Sequence, residues 1–231
     1  MKEAKILLCG DSISKGIIYD NSVKKYRRVD KALSDILEKI FRSRVLNISG
    51  FGNTVLRAEG KFYKAFEAEK PDVVIFGLGG NDCDFDWNEV SNEPDGIHKP
   101  KTDIETFKST LALMADRVVS FGKRVVLMNL PPLDPERYFN WISGNDELRK
   151  RNILKWLGSV SQIYWWQERY NIAVVEVAIS KNAELIDVRS EFLKQSDFRN
   201  CICEDGIHPN EEGQRLIARA VAGYFNGKKP A

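Results

Sequence analysis

A three-layer α/β/α sandwich around a five-stranded parallel sheet is the fold class predicted by this 231-residue sequence, and three observations lead there. Short apolar runs alternate five times with stretches whose apolar residues recur at three-and-four spacing, the order expected of parallel strands joined by right-handed helical crossovers. The run Val73-Val74-Ile75-Phe76 is apolar at every position, as strands covered on both faces are. Several runs also break off into glycine and small polar residues, at the sheet edge where open α/β folds gather their chemistry.

Taken in order, Ala4 to Cys9 reads as the first strand and stops at Gly10-Asp11-Ser12. A polar segment, Lys15 to Arg28, follows. Val29, Leu33, Ile36, Leu37, Ile40 and Phe41 then define one buried helix face. Arg44 to Ser49 is the second strand, closed by Gly50-Phe51-Gly52-Asn53-Thr54 and followed by a helix from Thr54 to Ala68. The third strand lies within Pro71 to Gly80 and ends at Asn81-Asp82. From Cys83 to Lys101 periodicity is lost and Asp, Asn, Pro and Trp87 accumulate, which predicts a long surface loop of functional use. Thr102, with Glu105 three residues on, predicts the N-cap of a helix to Ser120, ended by Gly122.

Arg124 to Asn129 is the fourth strand, stopped by Leu130-Pro131-Pro132. An aromatic segment through Tyr138, Phe139 and Trp141 leads to a helical stretch from Leu148 to Leu157. Ile163, Trp166, Tyr170, Ala173, Val174 and Val177 keep helical spacing, which assigns Ile172 to Val177 to helix despite its strand propensity. Glu184 to Val188 is the fifth strand. Asn210 to Phe225 is a closing helix with Leu216, Ile217, Ala220, Val221 and Tyr224 inward.

The length suits one domain spanning residues 1–231, and neither a repeat nor a composition break marks a linker. A net charge of +2 provides no global field for nucleic acid or an anionic membrane. The apolar run after Met1-Lys2-Glu3 is too short for a signal peptide, and no run reaches the length of a membrane span. Cys9, Cys83, Cys201 and Cys203 are irregularly spaced, which predicts free thiols and a reducing cytoplasm. No oligomeric state is legible.

Ser12, delivered by a buried strand to the sheet's carboxyl edge, is the candidate nucleophile; Gly10 permits a tight exit from the strand. A serine attacking near neutral pH needs a base, usually histidine, and the chain has two. Both occur in one tetrapeptide, Asp95-Gly96-Ile97-His98 and Asp205-Gly206-Ile207-His208. His208 precedes a helix that Asn210 can cap, and Asp205 can orient its imidazole from the same turn; His98 lies within the long loop. Acyl transfer also needs donors for an oxyanion, and Gly52 and Asn81 follow the second and third strands on the same edge. Other motifs fail. Gly50-Phe51-Gly52-Asn53-Thr54-Val55 has valine where a dinucleotide fingerprint needs its third glycine, and no Walker lysine pattern occurs. Gly10-Asp11-Ser12-Ile13-Ser14 lacks the second glycine of the α/β-hydrolase elbow. The spacing of Cys201, Cys203, Asp205 and His208 does not suit zinc, so neither metal nor cofactor is expected.

Four segments together resemble the SGNH (GDSL-type) hydrolase superfamily: Gly10-Asp11-Ser12, Asn47 to Thr54, Gly79-Gly80-Asn81-Asp82 and Asp205-Gly206-Ile207-His208. The resemblance implies a flavodoxin-like sandwich in which Ser12 is nucleophile, His208 base and Asp205 its orienting acid. It further implies an oxyanion hole of the Ser12 N–H, the Gly52 N–H and the Asn81 side chain. It points to a serine esterase that forms an acyl-enzyme, with a small-molecule ester as partner and a short acyl group such as acetyl on a sugar or alcohol. Thioesterase or lysophospholipase chemistry, and a non-catalytic ligand-binding sandwich, are the alternatives. The segments Cys83 to Lys101 and Tyr138 to Trp166 are expected to specify substrate, with Asp82, Trp87 and Trp141 the candidate substrate-binding residues.

Overall fold

The computed structural model describes residues 4–227. Its chain runs β1 (Ile6–Gly10), α1 (Ser12–Lys15), β2 (Ile17–Asp20), β3 (Lys25–Arg28), α2 (Leu33–Phe41), β4 (Val45–Asn47), α3 (Val55–Glu69) and β5 (Val73–Gly77). It continues α4 (Trp87–Asn92), α5 (Ile104–Ser120), β6 (Arg124–Met128), α6 (Pro135–Ser143), α7 (Glu147–Leu157), α8 (Ser161–Ser180), β7 (Glu184–Ile186), α9 (Val188–Leu193) and α10 (Glu211–Gly227). The main sheet has the order β4-β1-β5-β6-β7 and every pairing in it is parallel, so the chain reverses direction across the sheet beside β1. Open sheets place ligands at the carboxyl ends of the strands flanking such a reversal.

The sheet's alternation builds two cores. Leu7 and Cys9 of β1 face one side, with Phe62 of α3, Leu111 of α5 and Val174 of α8. Ile6 and Leu8 face the other, with Leu37 of α2, Phe192 of α9 and Leu216 of α10. A third apolar cluster, Phe85, Trp87, Leu133, Tyr138, Ile153 and Ile163, meets the first through Trp166 and joins α4, α6, α7 and the first turn of α8.

Four expectations are corrected. The polar segment Lys15 to Arg28 is an antiparallel hairpin, with Ile17 paired to Arg28 and Asp20 to Lys25. Its second strand is Lys-Tyr-Arg-Arg, which has no apolar alternation, so periodicity could not reveal it. The helix expected from Val29 begins at Leu33, because Val29 is buried beneath the hairpin with Ile18, Ala32 and Cys203. The loop from Cys83 to Lys101 contains α4, whose cap is Asp86. The cap of α5 is Asp103, which accepts the Thr106 N–H at 2.9 Å; buried Thr102 lies before the helix and its carbonyl accepts the Tyr170 hydroxyl at 2.5 Å. The helical assignment of Ile172 to Val177 holds within α8: burial by α5 and β6 overrides the strand propensity of the isolated stretch. All four cysteines are free and buried. No helix among the described residues is long and apolar enough to cross a membrane.

Candidate active site

The site forms where β1 ends. Asp11 caps α1 by accepting the Ile13 N–H at 2.9 Å, which makes Ser12 the first helical residue, only 5% exposed. A first-turn N–H has no partner within its own helix, and that of Ser12 belongs to this class. Gly10 is required here for space: a Cβ on it would come within 2.3 Å of Ser14 Oγ, which lies between β1 and β5. Burial pushes the Asp11 carboxyl up to about 6, against the opposing pull of the Ile13 N–H and of His208.

From the other end of the chain, the turn before α10 brings in the partners of Ser12. His208 Nε2 lies 2.9 Å from Ser12 Oγ, and His208 Nδ1 lies 2.6 Å from Asp205 Oδ2. With Asp205 ionised, Nδ1 carries the proton it donates, and Nε2 is left to accept from the serine hydroxyl. Asp205 is fully buried, and its Oδ1 accepts the N–H groups of Ile207 at 3.1 Å and His208 at 3.0 Å. Burial raises the Asp205 carboxyl, but the hydrogen bond and charge of His208 and these backbone donors outweigh it and hold the group below its ordinary value. Gly206 permits this turn: its φ is +79°, and a Cβ there would meet Tyr138 N at 2.3 Å. Asn210 accepts the Glu212 and Gly213 N–H groups and fixes the start of α10 immediately downstream.

The other expected residues divide. Asn81 lines the pocket with Ser12, and its amide is anchored by donating to the Asn53 carbonyl at 3.1 Å. Gly52 has φ +67° in the neighbouring turn. Adjacent Phe51 stacks its ring 6.0 Å from that of His208, which places this turn beside the imidazole. Asp82 does not face the site: it is fully buried, its Oδ1 accepts the Val55 N–H at 2.8 Å at the head of α3, and burial raises its carboxyl to about 6. The Gly-Gly-Asn-Asp turn thus points one side chain to the pocket and the next into the core. Trp87 lines the pocket, its Nε1–H donating to Asp84 Oδ1 at 2.8 Å. Trp141 does not; it is 38% exposed and packs edge-on against Tyr19, with ring centroids 4.7 Å apart. His98 does not reach the site. Its side chain is 3% exposed, Nε2 lies 2.8 Å from the Glu93 carbonyl, and the ring packs edge-on against Trp156 at 5.5 Å.

A cavity of about 220 Å³ runs from Ser12 and Asn81 beneath the third apolar cluster. Phe85, Trp87, Leu133, Trp156, Ile163, Trp166 and Ile207 supply much of its wall. Asp84 braces that wall, accepting from Tyr138 Oη at 2.6 Å and from Lys101 Nζ at 2.6 Å as well as from Trp87. Sequence reasoning marked the two segments that build the wall but not Asp84, nor Tyr26 of the hairpin, whose hydroxyl reaches Asp205 Oδ2 at 3.0 Å across 179 residues of sequence. Among the described residues no three His, Cys, Asp or Glu side chains cluster as metal ligands would.

Comparison with known proteins adds a family match. The model of the GDSL-like lipase/acylhydrolase family fits residues 8–216. The chain is 25% identical over 156 residues to "GDSL esterase/lipase CPRD49" of Arabidopsis thaliana, covering 67% of this chain and 54% of that one. It spans little more than half the length of the curated relatives it matches. Among solved structures, a lipase/acylhydrolase from Enterococcus faecalis superimposes with a TM-score of 0.66 at 22% identity, over 99% of this chain and 100% of that one. Axe2, an acetylxylan esterase from Geobacillus stearothermophilus, does so with a TM-score of 0.61 at 20% identity, over 94% and 92%. At these identities the structural likeness speaks to the fold.

Proposed function

Because this chain belongs to the GDSL-like lipase/acylhydrolase family, we propose that it hydrolyses carboxylic esters through an acyl-enzyme on Ser12. The observation that carries the reading is the continuous hydrogen-bonded line from Ser12 Oγ through His208 to buried Asp205, at the mouth of an apolar cavity. His208 Nε2 takes the hydroxyl proton as Oγ attacks the ester carbonyl, and Asp205 steadies the imidazolium that forms. The Ser12 N–H, the Gly52 N–H and the Asn81 amide receive the oxyanion. His208 then returns its proton to the departing alkoxide, and water repeats the sequence to release the acid. General-base catalysis of this kind contributes about 10²- to 10⁴-fold, and a single oxyanion donor about 10²- to 10³-fold.

The cavity is the acyl site in this reading. Its mostly apolar wall and its volume of about 220 Å³ support an acyl chain longer than the acetyl group expected from sequence, because an acetyl group would leave most of it unfilled. The acetyl specificity named for Axe2 is therefore not carried over. A thioester would use the same acyl-enzyme and the same cavity.

The test is a panel of aryl esters and acyl thioesters with acyl chains from two to twelve carbons, run on the wild type and on Ser12→Ala. We expect activity to peak at intermediate length, to vanish in folded Ser12→Ala, and a fluorophosphonate to label Ser12 alone. Turnover in the folded variant would overturn the mechanism. A maximum at two carbons would overturn the acyl assignment of the cavity.

A further inference from the structure

The hairpin takes no part in the main sheet, yet it grips the segment that carries Asp205 and His208 at three points. The Tyr19 N–H donates to Cys203 Sγ at 3.4 Å, Tyr26 Oη–H to Asp205 Oδ2 at 3.0 Å and Arg27 Nη2–H to Glu211 Oε1 at 2.8 Å. The middle contact meets the same carboxylate oxygen that holds His208 Nδ1–H. The Tyr26 ring also lies 5.1 Å from the imidazole, between centroids. We propose that Tyr26 is a positioning residue for the acid–base pair: its hydroxyl, delivered by the hairpin, holds Asp205 Oδ2 in place and moderates the grip of that oxygen on the His208 imidazolium. The proposal rests on the roles given to Asp205 and His208 above.

Tyr26 can only donate to this carboxylate. Burial, and then the charge of Asp205, keep its phenol far above the ordinary tyrosine range, so the proton stays on Oη. An oxygen that accepts from two donors shares its charge between them, so removing one leaves the other to hold it more strongly. Without the Tyr26 hydroxyl, Oδ2 bonds His208 alone and holds its protonated form more strongly. The other groups facing the pair are Asp11 from the head of α1, Tyr19 from the hairpin and Cys203 from the pair's own segment, and none of them is altered by removing one phenolic oxygen.

The chain has only two histidines, so ¹⁵N-histidine labelling makes His208 directly observable with His98 as internal reference. The experiment is an NMR pH titration of the wild type and Tyr26→Phe, repeated in a Ser12→Ala background. Expected is an upward move of the His208 midpoint by about half a pH unit, roughly threefold in the protonation equilibrium, with His98 unmoved. The ascending limb of the kcat/KM profile follows it by the same half unit, so that kcat/KM on that limb falls by up to about threefold. Tyr26→Phe keeps the ring, which is 37% exposed, and removes one oxygen. Should it not fold, 3,5-difluorotyrosine at position 26, a stronger donor below its own ionisation, is expected to move His208 in the opposite direction. Superimposable His208 titrations would overturn the proposal, as would a loss of activity with no movement along the pH axis. Activity that survives Ser12→Ala would instead overturn the catalytic reading, while the titration in that background still reports on the contact.

Discussion

Asp82→Asn is expected to stabilise the protein at neutral pH, although Asp82 belongs to one of the four motifs. The carboxylate is fully buried, and the Val55 N–H at 2.8 Å and the hydroxyl of buried Thr102 only partly offset the cost of its charge. Burial raises its folded-state value from 3.8 to about 6, and the like charge of Asp11 adds to the effect. A group raised in the folded state binds its proton more tightly there, so stability falls as pH rises through the window from about 4 to about 6. A shift of roughly two units corresponds to about 3 kcal/mol at full ionisation, an upper figure for two coupled carboxylates. The amide introduced by the substitution can still accept the Val55 N–H and carries no charge to desolvate. The variant should therefore be more stable than the wild type by about 1–3 kcal/mol at pH 8, with the difference closing by pH 4. Urea unfolding at pH 4, 6 and 8 measures it; the difference between the two proteins cancels the shared groups that do not sense Asp82 and retains the relief of like charge on Asp11, which acts in the same direction. A difference that stays constant across this range would refute the reasoning, since titration of Asp82 and of the Asp11 carboxyl that senses it makes it pH-dependent.

Two further outcomes follow from the site. Asn81→Ala should lower kcat by about 10²- to 10³-fold with little change in KM, because an oxyanion donor acts mainly in the transition state; steady-state kinetics on one good ester would show it, and a rise in KM alone would reassign Asn81 to substrate binding. The two Asp-Gly-Ile-His segments should separate cleanly. His208→Asn should remove nearly all activity and His98→Asn should keep most of it, although each loses about 1–2 kcal/mol of stability, since each removes a buried ring and its hydrogen bonds, to Asp205 and Ser12 at one and to the Glu93 carbonyl at the other. Thermal melts with parallel kinetics distinguish the two, and equal losses of activity would mean that the α4 segment contributes to the site directly.

The strands of the main sheet and the members of the Ser12, His208 and Asp205 line were legible because each rests on local chemistry. A buried parallel strand declares itself by an unbroken apolar run, as at Val73 to Phe76, whose neighbours on both faces need no naming. Ser12, Asn81 and Asp205 sit at strand ends or helix caps, where glycine and small polar residues recur at short range. The α4 turn was missed because its six residues carry too few apolar positions to show a helical period.

What the sequence determined by itself is therefore the sandwich, the edge of the sheet that carries the chemistry and the residue types gathered there. Tertiary structure alone decided which way each side chain of the Asn81-Asp82 pair points, one to the cavity and one to the head of α3. It also decided that His98 is packed away from Ser12, that Trp87, Trp156 and Trp166 help enclose about 220 Å³ beside Ser12, and that Tyr26 reaches Asp205. The physical reason is common to all four. Burial and cavity volume are set by elements far apart in the chain, and the contact between residues 26 and 205 has no counterpart in any local spacing.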